Sequence, residues 1–65
     1  MNIVVNGKSK KIKTGTTIVE LLNSEGYSNW VGVWVNNIRL LQKDYPIYKL
    51  KEKDEIKIIR PLGGG

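Results

Sequence analysis

The sequence predicts an α+β roll, a mixed sheet of four to five strands with one main helix across one face. Three observations carry this prediction. Short stretches near both ends and in the middle alternate apolar and polar residues, as strands with one buried face do. One segment between them, Thr17 to Gly26, has helical apolar spacing and a signal at each end. The order is hairpin, helix, then further strands, which lets the helix cross one face of a single sheet.

Taken in order, Ile3 and Val5 alternate with Asn2, Val4 and Asn6 to make the first strand. Asn6-Gly7 follows, a pair suited to the positive φ angles of a type I′ hairpin turn. Residues 8–13 return as a lysine-rich second strand with Ile12 as its clearest core contact, and lysine on an edge strand discourages edge-to-edge pairing. Gly7-Lys8-Ser9 resembles the end of a phosphate-binding loop, but Asn2 stands where that pattern needs glycine and no helix follows directly. The segment is a hairpin turn.

Thr17 and Glu20 have the spacing of a capping box, in which each side chain satisfies a backbone N–H near the other. Ile18, Leu21 and Leu22 lie on one helical stripe, and Gly26 is placed to end the helix. Val31, Val33 and Val35 form a third strand ended by Asn36-Asn37. Residues 38–41 suit a short fourth strand, and Asp44-Tyr45-Pro46 marks a turn. Residues 47–53 read as irregular, anchored by Leu50. Asp54 then starts the last strand, with Ile56 and Ile58 inward, and Pro61 stops its ladder because it has no N–H. The first and last strands are expected to pair in parallel at the sheet's centre. The folded domain is assigned to residues 1–61 and a flexible glycine tail to residues 62–65.

Composition excludes much chemistry. The 65 residues contain no cysteine and no histidine, which removes disulfides, the common zinc sites, cysteine nucleophiles and histidine-based triads. A domain this small buries only about 60% of its unfolded surface, so its stability is expected to be marginal. No apolar run suits a membrane span, and the N-terminus lacks a signal-peptide pattern, so a cytoplasmic chain is expected. The net charge of +5 concentrates in Lys8 to Lys13 and Lys49 to Lys57. Glu52, Asp54 and Glu55 interrupt the second cluster, which suits a solvated face better than a phosphate track.

The remaining chemical handle is the segment Arg60-Pro61-Leu62-Gly63-Gly64-Gly65. Glycines without side chains can enter a channel that ordinary residues would block, and three of them span at most about 11 Å. A terminal carboxylate on such an arm suits acyl activation: it would attack an ATP phosphate to form an acyl adenylate with loss of pyrophosphate, and a sulfur nucleophile would then displace AMP.

The strand-turn-strand-helix order, "VWVNN" after the helix, "LKEKDEIKIIRP" and the terminal "LGGG" together resemble the ThiS/MoaD family of ubiquitin-like β-grasp sulfur carriers. The resemblance covers essentially the whole chain. Its most specific elements are Val35-Asn36, Lys53-Asp54-Glu55-Ile56 and Gly64-Gly65, and the short length favours the ThiS branch. It implies a carrier, not an enzyme, with no bound cofactor. A ThiF-like activating enzyme would use ATP to adenylate Gly65. A persulfide protein would supply sulfur to make a thiocarboxylate, and a ThiG-like thiazole synthase would receive it. Gly64 and Gly65 match the family's diglycine. Leu62 and Gly63 complete the tail.

Strand alternation also predicts a docking surface. With Val31, Val33 and Val35 facing the helix, Trp34 faces outward, as do Val4 and Ile59. The first, last and third strands are neighbours in a β-grasp sheet, so Val4, Ile59 and Trp34 are expected to form one exposed apolar stripe. Arg39 and Arg60 are placed at its rim. Such a patch suits a partner surface, and Trp and Arg are favoured interface anchors. The alternative is that residues 47–53 or Trp30 cover Trp34. Trp30, Tyr27, Tyr45 and Tyr48 are assigned to packing or the rim, without chemistry.

Two other functional classes fit less well. A nucleic-acid module would use Trp34 for base stacking, but the lysines lie on an outer strand and a mixed-charge loop, and no aromatic RNP pattern is present. A non-covalent ubiquitin-like adaptor would use the stripe without the tail. A MoaD-like carrier, or one feeding another pathway, shares the tail chemistry. Neither nucleic acid nor membrane is an expected partner.

Overall fold

The computed structural model describes residues 1–60. Asn2–Val5 (β1) and Lys8–Lys11 (β2) form an antiparallel hairpin with Val5 opposite Lys8. Asn6 and Gly7 make the turn with φ of 50° and 83°, the left-handed geometry that this pair tolerates. β2 ends before Ile12, yet Ile12 stays in the ladder: its N–H donates to the Met1 carbonyl and its carbonyl accepts from the Met1 ammonium. Ile12 is half-buried against the core.

The helix Ile18–Ser24 (α1) is closed at its N-terminus by several separate acceptors. Thr17 and Glu20 form the expected capping box, with Thr17 N–H donating to Glu20 Oε1 at 2.9 Å. The Ile18 and Val19 N–H groups donate to the Tyr48 and Tyr45 carbonyls. A helix this short depends on its packed face. That face is Ile18, Leu21 and Leu22, each essentially inaccessible to solvent. Gly26, with φ of 79°, carries the chain out of the helix.

Three further strands complete the sheet: Gly32–Val35 (β3), Ile38–Arg39 (β4) and Glu55–Ile59 (β5). The strand order is β2-β1-β5-β3-β4, with β1 and β5 parallel at the centre and the remaining pairs antiparallel. The lysine-rich β2 lies on an edge, as its sequence indicates. Ile3, Val5, Val33, Val35, Ile56 and Ile58 meet α1 across the core, with Leu50 closing one side. This is the ubiquitin-like β-grasp arrangement.

The fourth strand is shorter than its sequence pattern. It stops after Arg39 because Leu41 precedes a 3₁₀ turn over Gln42–Asp44, where the Asp44 N–H returns to the Leu41 carbonyl. The stretch after it is irregular, and Leu50 is buried as expected. Tyr45 is a core residue, with 2% of its surface exposed, and its hydroxyl donates to the Val31 carbonyl at 2.8 Å. It ties the start of β3 to the start of α1.

This packing makes a pH prediction. Burial pushes the Tyr45 phenol above its ordinary value of 10.0. Burial, followed by the Asp54 carboxylate, does the same to Tyr48. The folded chain therefore holds these protons more tightly than the unfolded chain. Their stabilisation is complete below the ordinary phenol value and is lost as pH rises through the raised folded values. Urea unfolding is expected to show falling stability above about pH 10, with a smaller fall in Tyr45→Phe. At neutral pH that variant should lose about 1 kcal/mol, because the Val31 carbonyl loses its donor.

Candidate functional site

Val4, Gly32, Trp34, Glu55, Lys57 and Ile59 lie on the sheet face away from α1, by the alternation seen in each strand's burial. The register decides which of them meet. Val4 is opposite Glu55, Trp34 is opposite Lys57, and Ile59 is opposite Gly32. The expected unbroken stripe of Val4, Trp34 and Ile59 is thereby corrected. β5 presents Glu55 and Lys57 between Val4 and Trp34, and its one apolar outward residue falls at the start of β3. The resulting surface is a shallow depression lined by Val4, Asn6, Trp34, Asn37, Glu55 and Lys57, with Ile59 opposite Gly32 at the start of β3.

Trp34 is half-buried, and neither of the alternative covers accounts for it. Residues 47–53 bond to the beginning of α1, on the other side of the sheet, and Trp30 is 78% exposed. Gly32 provides the indole's seat instead. A Cβ at Gly32 would stand 2.8 Å from Trp34 Cζ3 and 3.1 Å from Cη2, so the ring occupies the space a side chain would need. The Arg39 guanidinium covers the ring at 4.9 Å from its centroid. That contact combines cation–π attraction with shielding of the indole, and it keeps Arg39 beside Trp34 as expected.

Arg60 is placed differently. Its parity in β5 is that of Ile56 and Ile58, and its guanidinium stacks on the Tyr27 ring at 4.8 Å. It therefore belongs to the helix side of the sheet end and does not rim the Trp34 surface. Leu62, Gly63, Gly64 and Gly65, with Pro61 before them, lie outside the described residues. The central strand β5 ends at Ile59, one residue before the last described residue.

Side chains that sequence reasoning treated only as turn residues hold this strand. Asn36 accepts the Glu55 N–H through Oδ1 at 2.9 Å, and its Nδ2 donates to Asp54 Oδ1 at 3.0 Å. The other Asp54 oxygen accepts the Lys51 N–H at 2.9 Å. Asn6 Oδ1 accepts the Ile58 N–H at 2.8 Å. Both asparagines have positive φ, a conformation Asn tolerates better than most side chains. Their positions in Asn6-Gly7 and Asn36-Asn37 were the available sequence signal.

Among the described residues, no group of three or more His, Cys, Asp and Glu is arranged to hold a metal ion. No described helix is long and apolar enough to cross a membrane.

No curated protein matches the chain. A crystal structure of the thiamine biosynthesis protein ThiS from Geobacter metallireducens superposes with a TM-score of 0.85 at 26% identity, covering 100% of both chains. A solution structure of a thiamine biosynthesis protein from the same organism gives 0.79 at 26% identity, covering 100% of this chain and 88% of the other. The family model described as "ThiS family" matches residues 3–65, and the chain belongs to that family.

Proposed function

We propose that the chain is a sulfur carrier for thiamine biosynthesis and that the Gly65 carboxylate is the group loaded. The observation that carries this reading is the family match through Gly64-Gly65, joined to a fold in which the central strand leads toward that segment. The carrier supplies the acyl group, while a ThiF-like activating enzyme supplies the catalytic machinery and uses ATP.

The Gly65 carboxylate attacks the α-phosphorus of ATP, and pyrophosphate leaves. A persulfide sulfur then attacks the acyl carbon, and AMP leaves. A thiol cleaves the resulting acyl disulfide, releasing the thiocarboxylate and a disulfide. A ThiG-like thiazole synthase receives that sulfur. Intact mass after incubation with ATP, a ThiF-like enzyme, a persulfide donor and a thiol is the direct test. The expected gain equals one sulfur replacing one oxygen, located at Gly65 by fragmentation. No adenylate and no mass gain would sink the reading.

Trp34 and the shallow surface around it are the proposed docking face for the activating enzyme. The indole is held from below by Gly32 and beside Arg39, so little freedom is lost when a partner covers it. Trp34→Ala is expected to raise the KM for the carrier about 30-fold, the effect of losing a 2 kcal/mol interface anchor. Steady-state adenylation against carrier concentration reads this effect. An unchanged KM would remove Trp34 from the interface.

A further inference from the structure

In a parallel ladder, one residue commonly donates its N–H to the neighbouring strand and accepts through its own carbonyl two residues farther along. Asn6 performs the first half, donating to the Ile56 carbonyl at 2.9 Å. Its backbone has already entered the hairpin turn at φ of 50°. The side-chain Oδ1 takes the place of the carbonyl and accepts the Ile58 N–H at 2.8 Å. β5 thus remains held on its β1 side for one rung beyond the end of β1.

The other hold is at Arg60, whose guanidinium lies over Tyr27. Tyr27 is itself fixed: its N–H donates to the Leu22 carbonyl at 2.9 Å, and its side chain packs against the core. Asn6 grips the strand through its backbone at Ile58. Tyr27 grips it through a side chain at Arg60, beyond the end of β5.

We propose that Asn6 and Tyr27 are positioning residues that fix the point and direction from which the carboxyl-terminal arm leaves the sheet. This rests on the sulfur-carrier reading, in which Gly65 must reach the activating enzyme's reaction centre. Neither residue touches the reacting carboxylate. They restrict the path by which it is presented after the outer face has docked. Their loss therefore falls on turnover, cleanly so for Tyr27 on the helix side, whereas loss of Trp34 falls on carrier affinity.

The test uses the full chain, ATP–pyrophosphate exchange by a ThiF-like enzyme, and the variants Asn6→Gly, Asn6→Asp, Tyr27→Leu and Tyr27→Phe. Asn6→Gly keeps the turn's backbone freedom and removes the acceptor. Asn6→Asp retains an oxygen, and Tyr27→Phe retains a ring. Asn6→Gly and Tyr27→Leu are expected to lower kcat about tenfold through misplacement of the reacting group. The KM of Tyr27→Leu, which lies away from the docking face, should stay within about twofold. Asn6 also lines that face and is therefore read by kcat and by rescue, with Asn6→Asp and Tyr27→Phe recovering most of kcat. All are assayed well below their melting temperatures. Amide exchange in the free protein gives a second readout: Ile58 should exchange at least about tenfold faster in Asn6→Gly, with Val33 unchanged.

Wild-type kcat in both disruptive variants, or a loss confined to KM, would overturn the proposal. So would equal losses in the conservative pair or unchanged Ile58 exchange in Asn6→Gly. If wild-type protein forms no adenylate, the carrier reading fails by itself. The Ile58 exchange result still decides whether Asn6 holds the strand.

Discussion

A chain lacking Gly64 and Gly65 is expected to retain its fold and its docking face yet acquire no sulfur. Among the described residues the core that holds the sheet to α1 extends from Ile3 to Ile58, and the deleted residues carry no side chains to add to it. Melting should remain within a few degrees of the full chain, a shift corresponding to less than about 1 kcal/mol for a domain of this size. Affinity for the activating enzyme should remain within about fivefold, since Trp34 and its surroundings are intact. Adenylate formation and mass gain should both disappear. The shortened chain ends instead in the Gly63 carboxylate, whose reach is about 7 Å less than that of Gly65, so it stops short of the reaction centre. A non-covalent adaptor predicts the opposite: the shortened chain would retain full function. Normal sulfur loading of the shortened chain would eliminate Gly65 as the loaded residue.

Local signals accounted for the elements. Thr17 and Glu20 specify a helix start because both partners lie within one turn, and Asn6-Gly7 specifies a hairpin through backbone geometry alone. The alternation of Val33 with Val35 and Ile56 with Ile58 identifies the faces of their strands. It does not fix the phase between strands, because each keeps the same alternation under a two-residue slip. That is why sequence placed Val4, Trp34 and Ile59 on the correct face but joined them into a stripe that Glu55 and Lys57 interrupt.

The remaining features depend on pairs distant in sequence. Trp34 fits because its own strand has glycine two residues earlier, yet the ring direction that uses this space is a packing outcome. Asn6 meets Ile58 only after β1 and β5 become neighbours. Arg60 reaches Tyr27 only after α1 ends in a tight turn. Tyr45 becomes core because a polar ring can be buried once the Val31 carbonyl is within reach. Polar side chains at turn positions thus had two roles, and only the local one was legible.

Asp54→Ala is expected to be the most destabilising of the polar substitutions. Asp54 is buried, and its two oxygens accept separate N–H groups, one from Lys51 and one from the Asn36 side chain. Asn36 in turn accepts the Glu55 N–H. Removing the carboxylate leaves two donors without their acceptor and loosens the turn that aligns β3 with β5. Hydrogen bonds to a charged acceptor contribute about 1.5–3 kcal/mol each, so a loss of about 3 kcal/mol is a conservative expectation. A domain of this length has total stability of only about 3–10 kcal/mol. Thermal unfolding should therefore shift down by about 12 °C or more. Asp54→Asn should recover less than half, because its amide NH₂ must face one of the two existing donors. At temperatures where Asp54→Ala remains folded, its carrier KM should change little, since Asp54 supports the start of β5 from within. A large melting shift with unchanged KM would separate support of the strand from recognition at the outer face. A shift below about 4 °C, corresponding to less than about 1 kcal/mol, would instead show that water replaces the carboxylate at both donors.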